Sequence, residues 1–135
     1  MSQENVELFR RALEAFNRRD FDAVLEQLDP EAEWHPGVQA LLEGETTTFR
    51  GREEVRKGLQ GLVDAFADLR LEVSEMRDLG DRVLATGRLH AHGTESGVEI
   101  ESPWAYLVEY RSGKAIWVRA FHDPKQALEA AGLRE

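Results

Sequence analysis

Val6, Phe9, Leu13 and Phe16 recur every three or four positions with charged residues between them, the stripe of an amphipathic helix of about four turns. Asn17 to Asp20 interrupts the stripe. Asp20 stands where a capping residue belongs, ahead of a second helix carrying Phe21, Val24, Leu25 and Leu28 and stopped at Asp29-Pro30. Ala32 to His35 reads as a brief strand running into a turn at Pro36-Gly37, and residues 38–50 as an irregular segment that covers a cavity. From Gly51 the helical period returns through Val55, Leu59, Leu62, Val63 and Phe66, although Gly58 and Gly61 are weak helix formers.

After this third helix the period changes to two. Leu69, Leu71 and Val73 alternate with polar residues; Val83, Ala85, Gly87, Leu89 and Ala91 follow a turn at Gly80-Asp81; Ile100 to Tyr110 follows Ser96-Gly97; and Ala115 to His122 follows Ser112-Gly113. Four consecutive strands joined by tight turns predict an antiparallel meander, and Lys125 to Ala131 a closing helical turn ended by Gly132. The fold class is α+β: three N-terminal helices on one face of a strongly curved, mainly antiparallel sheet, then a short C-terminal helix, read as a single domain over residues 1–135. A bent sheet folded over helices makes a cone, and a cone left partly unfilled is a pocket.

Composition changes this picture little. With 41% apolar and 32% charged residues and no apolar run long enough for a membrane span, the chain reads as soluble; its polar, acidic start lacks a secretion signal, and a cytoplasmic location is expected. A net charge of −9 with scattered basic residues argues against nucleic acid as a partner. There is no cysteine, hence no disulfide or thiolate chemistry, and no glycine-rich nucleotide motif, so no cofactor is expected. His90 and His92 share a strand face with Arg82 and Arg88, and with no carboxylate at an obvious third position no metal site is read there.

The segments FNRRDFDAVLEQLDPEAEWHP, FRGREEVRKGL and YRSGKAIWVRAFHDPKQALEAAGL, in this order over nearly the whole chain, resemble the SnoaL-like branch of the nuclear transport factor 2-like superfamily. The resemblance implies a cone-shaped pocket and a range of activities: polyketide cyclases, ketosteroid isomerases, epoxide hydrolases, dehydratases and proteins with no chemistry. Residue by residue, the isomerases' general-base aspartate before a proline corresponds to His35 before Pro36. Their acidic oxyanion donor on the third long strand corresponds to Tyr106, and their helix-one tyrosine to Ala12. The epoxide hydrolases' aspartate on the last strand corresponds to His122, on the face of Ala120, with Asp123 next to it as the strand-end aspartate of the family. Association as a homodimer across the convex face is implied as well.

Imidazoles titrate near neutrality, so His35 facing the cone would serve as a general base, with Tyr106 and His122 donating to a developing oxyanion. Phe16, Trp104, Val108 and Ala120 would line the ligand site. Trp117 and Phe121, on the opposite strand face, would form the dimer interface with Arg119 as an ion-pairing residue there, unless a bulge turns Arg119 into the pocket toward a carboxylate. The expected function is cofactor-independent acid/base catalysis of cyclase, isomerase or dehydratase type on a small hydrophobic or cyclic carbonyl compound. The alternative is a non-catalytic dimer that binds a small apolar ligand or merely fills its cone.

Overall fold

Helix α1 (Ser2–Asn17) forms on the predicted stripe and buries Phe9 and Phe16. It ends at Arg19, which is left-handed (φ 66°): the Arg19 N–H bonds the Phe16 carbonyl at 2.9 Å and the Asp20 N–H reaches back to Ala15 at 2.8 Å, the paired bonds of a Schellman C-terminus. Asp20 then caps α2 (Phe21–Glu26), accepting from the Ala23 N–H at 3.2 Å, as the sequence predicts. The second helix is shorter than its periodicity suggests. Gln27 turns the chain out of it, its carbonyl accepting from the Ala115 N–H at 2.8 Å, so Leu28 opens a strand and does not close a helix.

The computed structural model describes residues 2–35, 48–66, 68–93, 95, 97–121 and 123–133; most of the irregular 38–50 segment, and His122, lie outside them. Strands β1 (Leu28–His35), β2 (Phe49–Arg50), β3 (Arg70–Asp78), β4 (Arg82–His92), β5 (Glu99–Arg111) and β6 (Lys114–Phe121) form one sheet in the order β2-β1-β6-β5-β4-β3. Only β1 and β6 are parallel; the remaining pairs are antiparallel, and β3 to β6 make the predicted meander. β1 begins four residues earlier than the sequence pattern suggests.

Register shifts at Val73/Glu75 and Glu109/Tyr110 bend the sheet. Gly87 makes the first bend possible, because a Cβ there would stand 1.8 Å from the Glu72 carbonyl oxygen. Gly58 does similar work in α3 (Gly51–Ala65): a Cβ would meet the Trp34 ring at 2.7 Å and the Phe49 ring at 3.0 Å. Its low helix propensity, about 1 kcal/mol relative to alanine, is offset by the packing of those two rings, 5.4 Å apart, against the helix.

The sheet buries both faces unequally. The concave face and α1 to α3 share the larger core, which contains Phe9, Phe16, Trp34, Val55, Leu59, Trp104 and Val108. On the convex face Leu84, Ala105, Leu107 and Phe121 pack beneath α4 (Pro124–Ala130), whose Ala127 is wholly buried. At the edge strand β3, the Asn17 side chain donates to the Leu71 carbonyl (3.1 Å) and accepts from the Leu71 N–H (3.3 Å), and Arg19 donates to the Leu69 carbonyl (2.6 Å). These bonds fill positions that a further strand would otherwise occupy.

Contrary to the sequence reading, carboxylates do stand against the two convex-face histidines. His90 lies 3.4 Å from Glu72 and 3.6 Å from Glu101, and His92 lies 2.6 Å from Asp68 and 3.7 Å from Glu99. They bracket each ring from opposite sides instead of converging, and among the described residues no group of three or more such side chains is placed to hold a metal. No helix among them is long and apolar enough to cross a membrane.

Two outcomes follow from this architecture. Gly87→Ala drives a methyl into backbone that cannot yield like a side-chain end, and should cost stability at the upper end of about 1–3 kcal/mol; an unchanged melting temperature would refute the close approach. The hydrogen bond to Asp68 raises His92 above its ordinary value of 6.5, and the same bond lowers Asp68 below 3.8. The raised histidine stabilises fully below its unfolded value and loses that contribution as pH rises; the lowered aspartate stabilises above its own unfolded value and loses it on acidification. The melting-temperature difference between wild type and His92→Gln should therefore be greatest from about pH 4 to pH 6.5 and shrink above it; a difference constant to pH 8.5 contradicts the pairing.

Candidate functional site

Along β5 side chains alternate, so Trp104, Tyr106, Val108 and Tyr110 face the helices while Ala105 and Leu107 face α4. The helix stripe of α1 comes down on these rings, with Phe9 and Tyr106 at 6.0 Å between centroids and Trp104 edge-on to Tyr106 at 5.7 Å. Between them remains a cavity of about 100 Å³, walled by α1, α2, α3 and strands β1, β3, β5 and β6. A 150 Å³ apolar cavity admits benzene; this space is smaller, so a ring fits it only with a small outward movement of the helices.

Among the described residues no charged side chain lines the cavity; their polar atoms there come from Gln27, Trp34, Tyr106 and Tyr110. Burial pushes the Tyr106 phenol up to about 12, and the Trp104 indole N–H works the other way. That N–H is near enough to favour phenolate yet makes no aligned hydrogen bond. Burial raises Tyr110 too. Both phenols are thus protonated at neutral pH, and each carries an O–H donor. The Gln27 side-chain oxygen is buried and has no hydrogen-bond partner among the described residues.

Several of the residues singled out in the sequence meet here. Phe16, Tyr106 and Val108 line the cavity, as does Ala12; Trp104 is buried beside Tyr106, and Ala120 belongs to the same core. His35 does not join them. In β1 the inward positions are Ala32 and Trp34, and strict alternation sends His35 to the convex face, paired in register with Arg119. There its Nδ1 lies 3.0 Å from the Thr48 hydroxyl and its Nε2 3.3 Å from Glu33, which also binds Arg50, while its ring packs on Trp117 at 5.6 Å. The residue that reaches the cavity from this stretch is Trp34.

Asp123 is used as a helix cap, accepting from the Lys125 N–H at 3.0 Å. Phe121 is buried by the chain's own α4, which removes most of its surface from any interface, and the exposed Arg119 lies over its ring at 4.7 Å. Trp117 stays half-buried on the convex face. His122 lies outside the described residues. The sequence reading missed Gln27 and Trp34, whereas Tyr110 stands with Trp104 and Tyr106 on the strand face it expected to line a pocket. Gln27 left a signal as a polar residue three positions after Val24 on an otherwise apolar helical face, whereas the strand around Trp34 is too short for alternation to tell it from His35.

The profile of the SnoaL-like domain matches residues 9–118. No curated protein is a sequence match. Among solved structures, a protein of unknown function with a nuclear transport factor 2-like fold from Burkholderia pseudomallei K96243 superposes with a TM-score of 0.80 at 23% identity, over 93% of this chain and 95% of its own. TerC, co-crystallized with polyporic acid, gives 0.78 at 22%, over 96% and 98%. A SnoaL-like polyketide cyclase candidate from Jannaschia sp. CCS1 gives 0.77 at 20%, over 98% and 94%. At such identities the likeness is one of fold.

The phenols give this site a direct test, since the chain's two tyrosines are Tyr106 and Tyr110. Tyrosinate absorbance should not rise near the ordinary value of 10.0, only toward 12 or at unfolding. The neutral phenols stabilise the fold below pH 10 and lose that contribution as pH climbs through the folded value. A titration step at pH 10 in the folded protein would mean the rings are not where the cavity requires them.

Proposed function

The chain belongs to the SnoaL-like domain family, and from the uncharged cavity this fold encloses we propose that the protein binds a small, neutral, ring-sized molecule with an apolar body and one oxygen. A single observation carries this reading: among the described residues the cavity wall is apolar except for Gln27, Trp34, Tyr106 and Tyr110, with no charged side chain to hold a charged ligand. Burying a charge there without a partner would be prohibitive, whereas apolar area contributes about 25 cal/mol per Å² removed from water. The Tyr106 O–H supplies orientation from a ring that is partly buried against the core.

A second reading, catalysis of cyclase, isomerase or dehydratase type on a cyclic carbonyl compound, is favoured by that same phenol. A protonated donor at a carbonyl oxygen stabilises an oxyanion without needing a charged group. Such chemistry also needs a base. Among the described lining residues there is no imidazole or carboxylate, and His35 stands across the sheet, so this reading takes its base from outside them, with His122 as the candidate the sequence offers.

Binding is tested with simple probes. Toluene and phenol titrated into labelled protein should shift the resonances of Phe9, Leu13, Tyr106 and Val108 at saturable concentrations, and Ala12→Trp, which fills the space, should abolish the shifts while preserving the fold. Probes that move no cavity resonance would sink the binding reading. For the catalytic reading, once a turned-over carbonyl compound is in hand, Tyr106→Phe should lower kcat by about a hundredfold, the effect of one oxyanion donor, and His35→Ala should leave it unchanged. Loss of activity in His35→Ala, or full activity in Tyr106→Phe, contradicts it.

A further inference from the structure

Among the described residues that line the cavity, Gln27 is the one with a buried side-chain atom that has no hydrogen-bond partner. Its position is rigid: the backbone N–H bonds the Val24 carbonyl at 3.2 Å and the backbone carbonyl accepts from Ala115 at 2.8 Å, tying it to α2 and to the start of β6. The side chain therefore projects from a fixed Cα into the space beside Val24, Leu28, Tyr110 and Ala115. Its Oε1 is buried, with no donor among the described residues. A buried carbonyl oxygen left without a donor costs about 1–3 kcal/mol, and native proteins keep few such atoms without a use for them.

An amide oxygen in a site with no charged group asks for a neutral donor. A bare ketone, ether or hydrocarbon cannot provide one; an alcohol, enol or phenol can, with its apolar body held by the surrounding wall. A lone water is a poor substitute, because a buried water needs two to four polar partners. Accepting from the ligand's hydroxyl is a different task from that of Tyr106, which donates: one group reads the proton of a hydroxyl and the other its oxygen.

We propose that Gln27 is the specificity-determining residue of the cavity and selects a small hydroxyl-bearing ring compound, a phenol, enol or cyclic alcohol, over its unhydroxylated or carbonyl-only analogues. This rests on the binding reading above. It goes beyond that reading by naming the functional group the ligand must carry and the residue that recognises it.

The test compares phenol with toluene, which match in size and differ in the hydroxyl. Wild-type protein should bind phenol about tenfold more tightly, the worth of one satisfied buried hydrogen bond, and the ratio should fall to about one in Gln27→Met, which keeps length and volume. Because the ratio is taken within each protein, a change in overall stability cancels. Should Gln27→Met fail to fold, a crystal structure of wild type with phenol decides instead, its oxygen being expected within hydrogen-bond distance of the Gln27 amide. Equal binding of the two probes, a preference surviving in Gln27→Met, a preference removed by Tyr106→Phe but not by Gln27→Met, or a phenol oxygen seated on Tyr106 alone would each overturn the assignment while leaving the cavity a binding site. Binding of neither probe would overturn the binding reading itself.

Discussion

Helix α1 is fastened to the open edge of the sheet, and the cavity exists because of that fastening. Strand β3 has no neighbour on one side, and Leu69 and Leu71 direct backbone groups there that would otherwise face water or another chain. The Asn17 amide answers both groups of Leu71, and the Arg19 guanidinium takes the Leu69 carbonyl. The C-terminal end of α1 is thereby held over the concave face at a height set by hydrogen bonds as well as by packing. Phe9 descends onto Tyr106 of β5 and Phe16 stacks on Phe21, and the two leave a space between helix and sheet. Arg19 is in the left-handed region, where a residue with a side chain costs on the order of 1 kcal/mol, and side-chain bonds to the Phe16 and Leu69 carbonyls accompany that cost.

Curvature complements the fastening. A flat sheet would let α1 to α3 pack as a plain layer and leave nothing to enclose. Gly87 permits β4 and β3 to approach more closely than any side chain would allow, and the register shift beside it turns the strand. On the other side Gly58 lets α3 settle on Trp34 and Phe49, so the indole becomes a wall of the same space. Both glycines cost regular structure something locally, and both are repaid in the shape of the interior.

The two faces of the sheet then acquire opposite chemistry. Imidazoles and carboxylates collect on the convex side, where water screens them: His35 with Glu33, His90 with Glu72 and Glu101, His92 with Asp68 and Glu99. Among the described residues the cavity on the concave side is lined by neutral polar groups, and burial holds its phenols in the protonated form. An interior of this kind suits recognition by shape and hydrogen bonds. Proton transfer through it would require a titratable group brought in from residues beyond those described.

Much of the architecture was legible in the chain. The stripe from Val6 to Phe16, the cap at Asp20 and the alternation from Leu69 to Tyr110 depend on local periodicity, and each element lies where its period places it. The inward rings Trp104 and Tyr106 were legible for the same reason, since alternation within a long strand is self-consistent over many residues. Short β1 offered no such length. The sequence around AEWHP marks a strand but does not say which of two adjacent residues faces in, and a one-residue choice exchanges His35 for Trp34. That choice belonged to tertiary structure: parallel pairing with β6 set Trp34 beside Val118, on the cavity side, and His35 beside Arg119 on the other. Asp123 and Phe121 went the same way, the first becoming a cap and the second a floor for α4 only once that helix folded back on the sheet. Periodicity is a property of neighbours along the chain and can be read there; whether a side chain meets a cavity, a helix or water depends on residues remote in sequence, which only the folded contacts bring together.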